Sequence, residues 1–216
     1  MMDLFLRAWP LLQTAVLVTL GLGLGAFVLG SMLGICVALM RNSNIAIFRT
    51  AAFMYVSIFR GTPLLVQLLL IYFGLPHYGI TMGPVPSALL ALTLFSAAYL
   101  SENFRSGINA VDPGQWEASL AMGMGYWTCL RRIIFPQATR IALPPVGSRL
   151  IALIKDTSLA STITVVEMTR VAEQVGAATF RYMEMFLMIG LVYWVINQVL
   201  TVIQTYLEGS MTRRYR

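Results

Sequence analysis

The sequence predicts an all-α protein that crosses a membrane five times, and three observations carry that prediction. Of 216 residues, 58% are hydrophobic and only 11% charged, whereas soluble domains carry roughly a quarter charged residues. The apolar residues gather into runs at 11–40, 51–73, 87–103 and 185–206, each near the length of about 20 residues that a spanning helix needs. The basic residues cluster between those runs: Arg41 and Arg49 after the first, Arg105, Arg131, Arg132 and Arg140 after the third, Arg213, Arg214 and Arg216 at the end. A net charge of +6 distributed in this way is a mark of membrane topology rather than of nucleic-acid binding.

The fifth span follows from those charges. Segment 143–166 is apolar but interrupted by Arg149, Lys155 and Asp156. If it does not cross, the basic loop and the basic tail lie on opposite sides of the membrane. If it crosses, all three clusters share the cytoplasmic side, with the N-terminus outside and the C-terminus inside. The loop 74–86, which has no Lys or Arg, then faces outward. The chain is expected to form one transmembrane domain over residues 1–216. The first run exceeds the need and so tilts or overhangs. It is also too long for a secretory signal, for which Arg7 would be the sole n-region charge. Small residues at four-residue spacing, Gly21/Gly25 and Ala26/Gly30/Gly34, are expected to let helices approach closely. Cys36 and Cys129 are isolated, with neither a metal spacing nor a disulfide partner in view. No metal or other cofactor is expected.

The polar, basic loop 104–142 carries order of its own. Asp112 can cap a helix starting at Pro113, with Gln115 completing a capping box. That helix is expected to run to about Met122. Gly123, Met124 and Gly125 would end it in the left-handed region. A second short helix, 126–134, would stop before Pro136. Trp116, Leu120 and Met124 would then form an apolar knob, suited either to a partner's groove or to lying on the bilayer surface.

Charges inside the apolar runs point to shelter from lipid. In a continuous fourth span, Lys155 and Asp156 lie about 18 Å from its start at ~1.5 Å per residue, near the midplane of a core about 30 Å thick. They line or gate a pathway, or else form structural pairs with other helices. Arg60 falls roughly 10 Å inside the cytoplasmic boundary. It either snorkels to the interface or lines a cavity where Gly61 and Pro63 loosen the helix, with Gln67 facing the same cavity. Glu102 and Arg105 are spaced for a helical ion pair. Tyr193, Asn197, Thr201 and Gln204 form a stripe suited to interhelical hydrogen bonds. His77 belongs to an exposed outer loop, and Trp9, Trp194 and Tyr206 to packing or interfacial anchoring.

The spacing Glu117-Ala118-Ser119, then Gly123, Ile133 and Pro136, resembles the EAA loop of ABC-importer permeases. Ser119 stands where that pattern usually has Ala, and Phe135 where it usually has Leu. The flanks Phe59-Arg60-Gly61-Thr62-Pro63-Leu64, Pro136-Gln137-Ala138, Leu143-Pro144-Pro145 and Lys155-Asp156-Thr157-Ser158-Leu159 are similar to the polar amino acid uptake permeases. That group serves basic amino acids, glutamine or glutamate, and cystine. The resemblance covers about residues 10–210. It departs at Gly147-Ser148, where relatives often carry Asn, and no role is assigned there.

The resemblance implies a multi-pass permease of the bacterial inner membrane. Glu117, Ala118, Ser119, Gly123 and Pro136 would couple to an ATPase dimer. Arg60, Thr62, Pro63, Gln67, Lys155, Asp156, Thr157 and Ser158 would line or gate the path. A second permease, identical or paralogous, an extracytoplasmic amino-acid-binding protein and a polar amino acid would complete the set of partners. The chain lacks a G-x-x-x-x-G-K-[ST] phosphate loop, so ATP hydrolysis belongs to another subunit and this chain is no enzyme. A non-transporting scaffold or a passive channel would explain the spans equally well. Neither calls for both midplane charges and a capped docking element.

Overall fold

Leucine, alanine and glycine dominate the apolar runs, and the computed structural model, which describes residues 2–213 with side chains for 8–211, folds them into helices throughout. Arg7, Arg213, Arg214 and Arg216 lie outside the described side chains. The helices are α1 (Met2–Arg41), α2 (Ala46–Gly61), α3 (Leu64–Leu69), α4 (Pro84–Asn109), α5 (Pro113–Ala121), α6 (Tyr126–Cys129), α7 (Phe135–Asp156), α8 (Met168–Thr179) and α9 (Tyr182–Arg213). Wide π turns at Leu70–Gly74 and Leu130–Ile134, and 3-10 turns at Leu75–Tyr78 and Thr157–Ile163, extend or join them. No strand occurs among the described residues.

The central pair is α1 against α4, and missing side chains bring them together. A Cβ on Gly25 would sit 3.3 Å from Leu89, one on Gly30 3.1 Å from Ser96, and one on Gly34 3.1 Å from the Ala97 carbonyl. The two numberings rise together, so α1 and α4 run parallel. Ala26 is buried between them. Gly21 departs from the expected stripe, because its face opens onto empty space. The segment carrying α2 and α3 therefore returns the chain to the side from which it started.

Helix α7 runs the other way. Gly107 of α4 faces Ala138 and Ala142, Asn103 donates to the Pro145 carbonyl at 3.1 Å, and Arg149 lies over Phe95 and Tyr99. α9 begins beside the start of α1, where Met185, Met188 and Ile189 pack with Ala8, Leu12 and Ala15. Its later turns lie beside Phe135–Arg140 of α7.

Three helical segments are long and apolar enough to cross a membrane, Ala8–Arg41, Pro84–Asn109 and Tyr182–Met211. A fourth crossing passes only as the pair Ala46–Gly61 plus Leu64–Tyr78, bent by 105°. The expected span 51–73 is two helices, broken at Thr62-Pro63 where Gly61 and Pro63 are expected to loosen it. Thr62 is extended (φ −119°, ψ 147°), as the residue before a proline prefers. The expected span 143–166 is corrected. Its helix starts early, at Phe135, ends at Asp156, and gives way to the 3-10 turn Thr157–Ile163. Thr164 then adopts φ +67° and reverses the chain. With Arg140, Arg149, Lys155 and Asp156 along it, α7 falls outside the segments that qualify by length and composition alone.

Adding one methyl group at the α4–α7 crossing tests this packing. A Cβ on Gly107 would approach the Ala138 carbonyl and Ala142 Cβ at 2.8 Å. Gly107→Ala is expected to cost about 1–3 kcal/mol, the usual range for overpacking. The thermal midpoint in detergent should fall, whereas Gly21→Ala should leave it in place.

Candidate coupling loop and charged groove

The loop between α4 and α7 is built from its caps inward. Asp112 Oδ1 accepts the Gly114 N–H at 2.8 Å, and the Gln115 N–H donates to the Asp112 carbonyl at 2.9 Å. The capping box does not close. The Gln115 side chain instead accepts from Gln137 Nε2 at 3.4 Å, linking α5 to α7. At the other end Gly123 takes φ +79°. The Met124 N–H then reaches the Ser119 carbonyl at 3.1 Å, and the Gly123 N–H reaches that of Leu120 at 2.9 Å. This is the double bond pattern of a Schellman cap, which favours glycine because the left-handed region penalises a Cβ. Gly125 is not left-handed (φ −66°), so Gly123 alone supplies the reversal.

The second short helix does not stop before Pro136. It passes through the π turn, with the Phe135 N–H on the Leu130 carbonyl, directly into α7. Pro136 is the second residue of α7, directly after the π turn, so its missing N–H falls where the bonding already departs from the regular α pattern. The apolar faces also differ from expectation. Trp116 stacks on Tyr126 with centroids 5.3 Å apart, and Trp116 and Met124 pack inward on Val111, Cys129, Ile134 and Ala138. Ser119 is buried and donates to the Gln115 carbonyl at 2.6 Å. What faces out, beside Glu117 and Ala118, is Leu120, Met122, Tyr126 and Trp127.

The charged groove is ordered around Glu102. Its carboxylate meets Arg105 at 2.9 Å, Arg41 at 3.6 Å and Arg60 at 3.8 Å, drawing together the C-terminal ends of α1, α2 and α4. The Arg60 guanidinium also lies 5.2 Å from the Tyr99 ring, so it does not stand alone, although its side chain stays exposed. At the break beyond it, Gln67 is buried rather than facing a cavity. Its Nε2 donates to the carbonyls of Phe59 (3.0 Å) and Thr62 (3.2 Å) and to Thr62 Oγ1 (2.9 Å). The Thr62 hydroxyl in turn donates to the Ile58 carbonyl at 2.8 Å. Gln67 and Thr62 thus restore the bonds that Pro63 removes.

Lys155 and Asp156 stand at the C-terminal end of α7 and not in mid-helix. Asp156 pairs with Arg149 of its own helix at 2.9 Å. The Arg149 guanidinium lies 5.0 Å from both the Phe95 and Tyr99 rings, an arrangement that offsets its desolvation. Lys155 is exposed and has no ion-pair partner among the described residues. Thr157 is buried and donates to the Ile154 carbonyl at 2.7 Å, while Ser158 is half-buried beside it.

The family described as the binding-protein-dependent transport system inner membrane component matches residues 30–213. This chain belongs to that family. The permease is 40% identical over 205 residues to the probable amino-acid ABC transporter permease protein YckA of Bacillus subtilis, covering 95% of this chain and 91% of the relative. It is 39% identical to the L-cystine transport system permease protein TcyB of B. subtilis (95% and 88% covered). It is 34% identical to the glutamine transport system permease protein GlnP of Escherichia coli (94% of each). Among solved structures, an amino acid ABC transporter crystallised with histidines superposes with TM-score 0.91 at 35% identity, covering 95% and 96%. The permease is accordingly a multi-pass protein of the bacterial inner membrane.

Two charged residues with specific partners were missed by the motifs. Arg149 lies two helical turns before Asp156, a spacing that puts both on one face and would have revealed the pair. Glu167 is buried, caps α8 by accepting the N–H groups of Thr169 (2.9 Å) and Arg170 (2.8 Å), and takes the Tyr193 hydroxyl at 3.0 Å. Glutamate is not a favoured N-cap, so nothing local signalled it. Of the expected interhelical stripe, Tyr193 and Gln204 do bridge helices, Gln204 donating to the Pro144 carbonyl at 3.1 Å. Asn197 and Thr201 bond within α9.

Removing the side chain that repairs the α2–α3 break isolates its contribution. Gln67→Leu keeps the volume but leaves the Phe59 and Thr62 carbonyls without their donor. A loss of about 1 kcal/mol is expected for bonds lost in this half-buried setting. It should be seen as a lower thermal midpoint in the purified permease.

Proposed function

We propose that this permease carries a polar amino acid into the cell, driven by ATP hydrolysed in a separate ATPase dimer. The observation that carries the reading is the loop 113–129. It holds Leu120, Met122, Tyr126 and Trp127 outward on a buried base of Trp116, Cys129 and Ile134 that joins α4 to α7. An ATPase subunit gripping that knob would move α4 and α7 together, and those helices carry Glu102, Arg149 and Asp156. Glu117, Ala118, Gly123 and Pro136 belong to this lever. Ser119 acts within it by fixing α5.

Five crossings agree best with the helix directions, and the basic clusters after α1 and α4 favour the N-terminus outside and the C-terminus inside. α1, α4 and α9 run one way, α7 the other, and α2–α3 returns the chain between α1 and α4. The charges of α7 oppose this less than composition suggests, because Arg149 and Asp156 neutralise each other under Phe95 and Tyr99. Arg60, Pro63 and Lys155 remain exposed on one copy. A second permease, this chain or a paralogue, would face them and enclose the path with Thr62, Asp156 and Ser158 along its wall, while buried Gln67 and Thr157 would support that wall from behind. A binding protein would deliver cargo at the outer end, and the two permeases would rock between outward- and inward-facing states. Polar amino acids are the cargo class because the cystine and glutamine relatives resemble the chain over nearly its whole length.

The test is uptake of labelled arginine, histidine, glutamine, glutamate and cystine in cells with and without the chain. One substrate should be lost on deletion and restored by the intact chain. Gly123→Pro and Glu117→Lys should insert normally yet fail to restore it. Unchanged uptake with both variants would remove the coupling role and leave a passive channel. No uptake change on deletion, together with no ATPase co-purifying, would favour a scaffold.

A further inference from the structure

We propose that the cleft between the end of α1, the start of α2 and the end of α4 binds the phosphodiester headgroup of an anionic phospholipid of the inner leaflet. The cleft has a volume of about 330 Å³ and is lined by Arg41, Asn42, Arg49, Thr50, Phe53 and Arg105. No acidic residue lines it. The nearest carboxylate, Glu102, is already shared among Arg41, Arg60 and Arg105. Arg49 has no ion-pair partner among the described residues, so the cleft keeps a surplus of positive charge.

The chemistry of the lining matches a phosphodiester. Guanidinium groups take phosphate oxygens in paired, charge-assisted hydrogen bonds. The Asn42 amide and Thr50 hydroxyl add uncharged donors at the rim. Phe53 is half-exposed and carries the Arg41 guanidinium 5.3 Å from its ring. Beyond it, exposed Met54 and Ile58 continue an apolar surface along α2 on which an acyl chain would lie. A free phosphate would satisfy the arginines but leave that surface uncovered, and for this reason the lipid is chosen. Basic pockets between helices on the cytoplasmic side suit acidic headgroups. The placement rests on the topology proposed above, in which the ends of α1 and α4 face the cytoplasm. Occupancy would compete with Glu102 for Arg41 and Arg105, so lipid composition would bear on the end of α4 that leads into the coupling loop.

Native mass spectrometry of the complete importer, exchanged with phosphatidylglycerol or phosphatidylcholine, tests the site. Phosphatidylglycerol should be retained selectively. Arg49→Gln should lower its retention about tenfold, the scale of one charge-assisted bond, while Arg170→Gln should not. Equal retention of phosphatidylcholine, or retention indifferent to Arg49→Gln, would overturn the proposal. So would displacement of the lipid by millimolar inorganic phosphate, which would mark a soluble-anion site. The topology is checked apart from binding, with Arg49→Cys in a Cys36→Ala, Cys129→Ala background. Labelling of that thiol by an impermeant maleimide from outside intact cells would sink the orientation and leave the retention result standing.

Discussion

A backbone carbonyl that leaves a helix at membrane depth finds no water, so each break in this protein depends on a substitute partner. At Thr62-Pro63 that partner is Gln67, whose amide reaches back across the break to two carbonyls. Those bonds stabilise the 105° turn between α2 and α3 that Pro63 and the extended Thr62 set. The same constraint explains the π turn and the 3-10 turn that follow α3, which keep the backbone bonded up to Tyr78. The second break, Thr157–Ile163, is placed where packing covers it. Ala160 and Ile163 share one buried cluster with Leu64 and Leu68 of α3 and with Leu22 and Leu92 of the central helix pair. The two irregular segments thus support each other in the middle of the molecule.

Charge is managed by sharing and by aromatic faces. Glu102 serves three arginines at the ends of α1, α2 and α4, and Tyr99 receives both Arg60 and Arg149. Because Arg149 and Asp156 are on one helix, their pairing does not pin α7 to a neighbour. The cation–π contacts with α4 are softer than a buried ion pair between helices would be. Helix α7 can therefore shift against its neighbours without stranding Arg149 or Asp156, whereas Glu102 ties α4 to α1 and α2.

The loop between α4 and α7 shows how a short segment becomes ordered. It runs without a break into α7 and joins α4 through the short turn 110–112, its own turn is fixed by the double cap at Gly123, and Ser119 and Trp116 fill its interior. The residues left for a partner are apolar and close together. A displacement of the knob is carried into the bundle by covalent continuity and packing, with no need of a diffuse pathway.

The sequence by itself determined the all-helical class, the main apolar runs, the basic clusters, the capped helix at Pro113 and the left-handed Gly123. Each of these is set within a few residues, by hydropathy over one window or by the conformational freedom of one glycine. Tertiary structure decided the rest. Whether Trp116 or Trp127 faces outward depends on what α4 and α7 place beneath them. That Gln67 caps carbonyls instead of lining a cavity depends on the angle at which α3 leaves α2. The parallel course of α1 and α4 rests on the fit of Gly25, Gly30 and Gly34 against a particular face of α4. A local pattern specifies how a segment bonds to itself; which neighbour covers it is fixed only when distant segments compete for the same buried space.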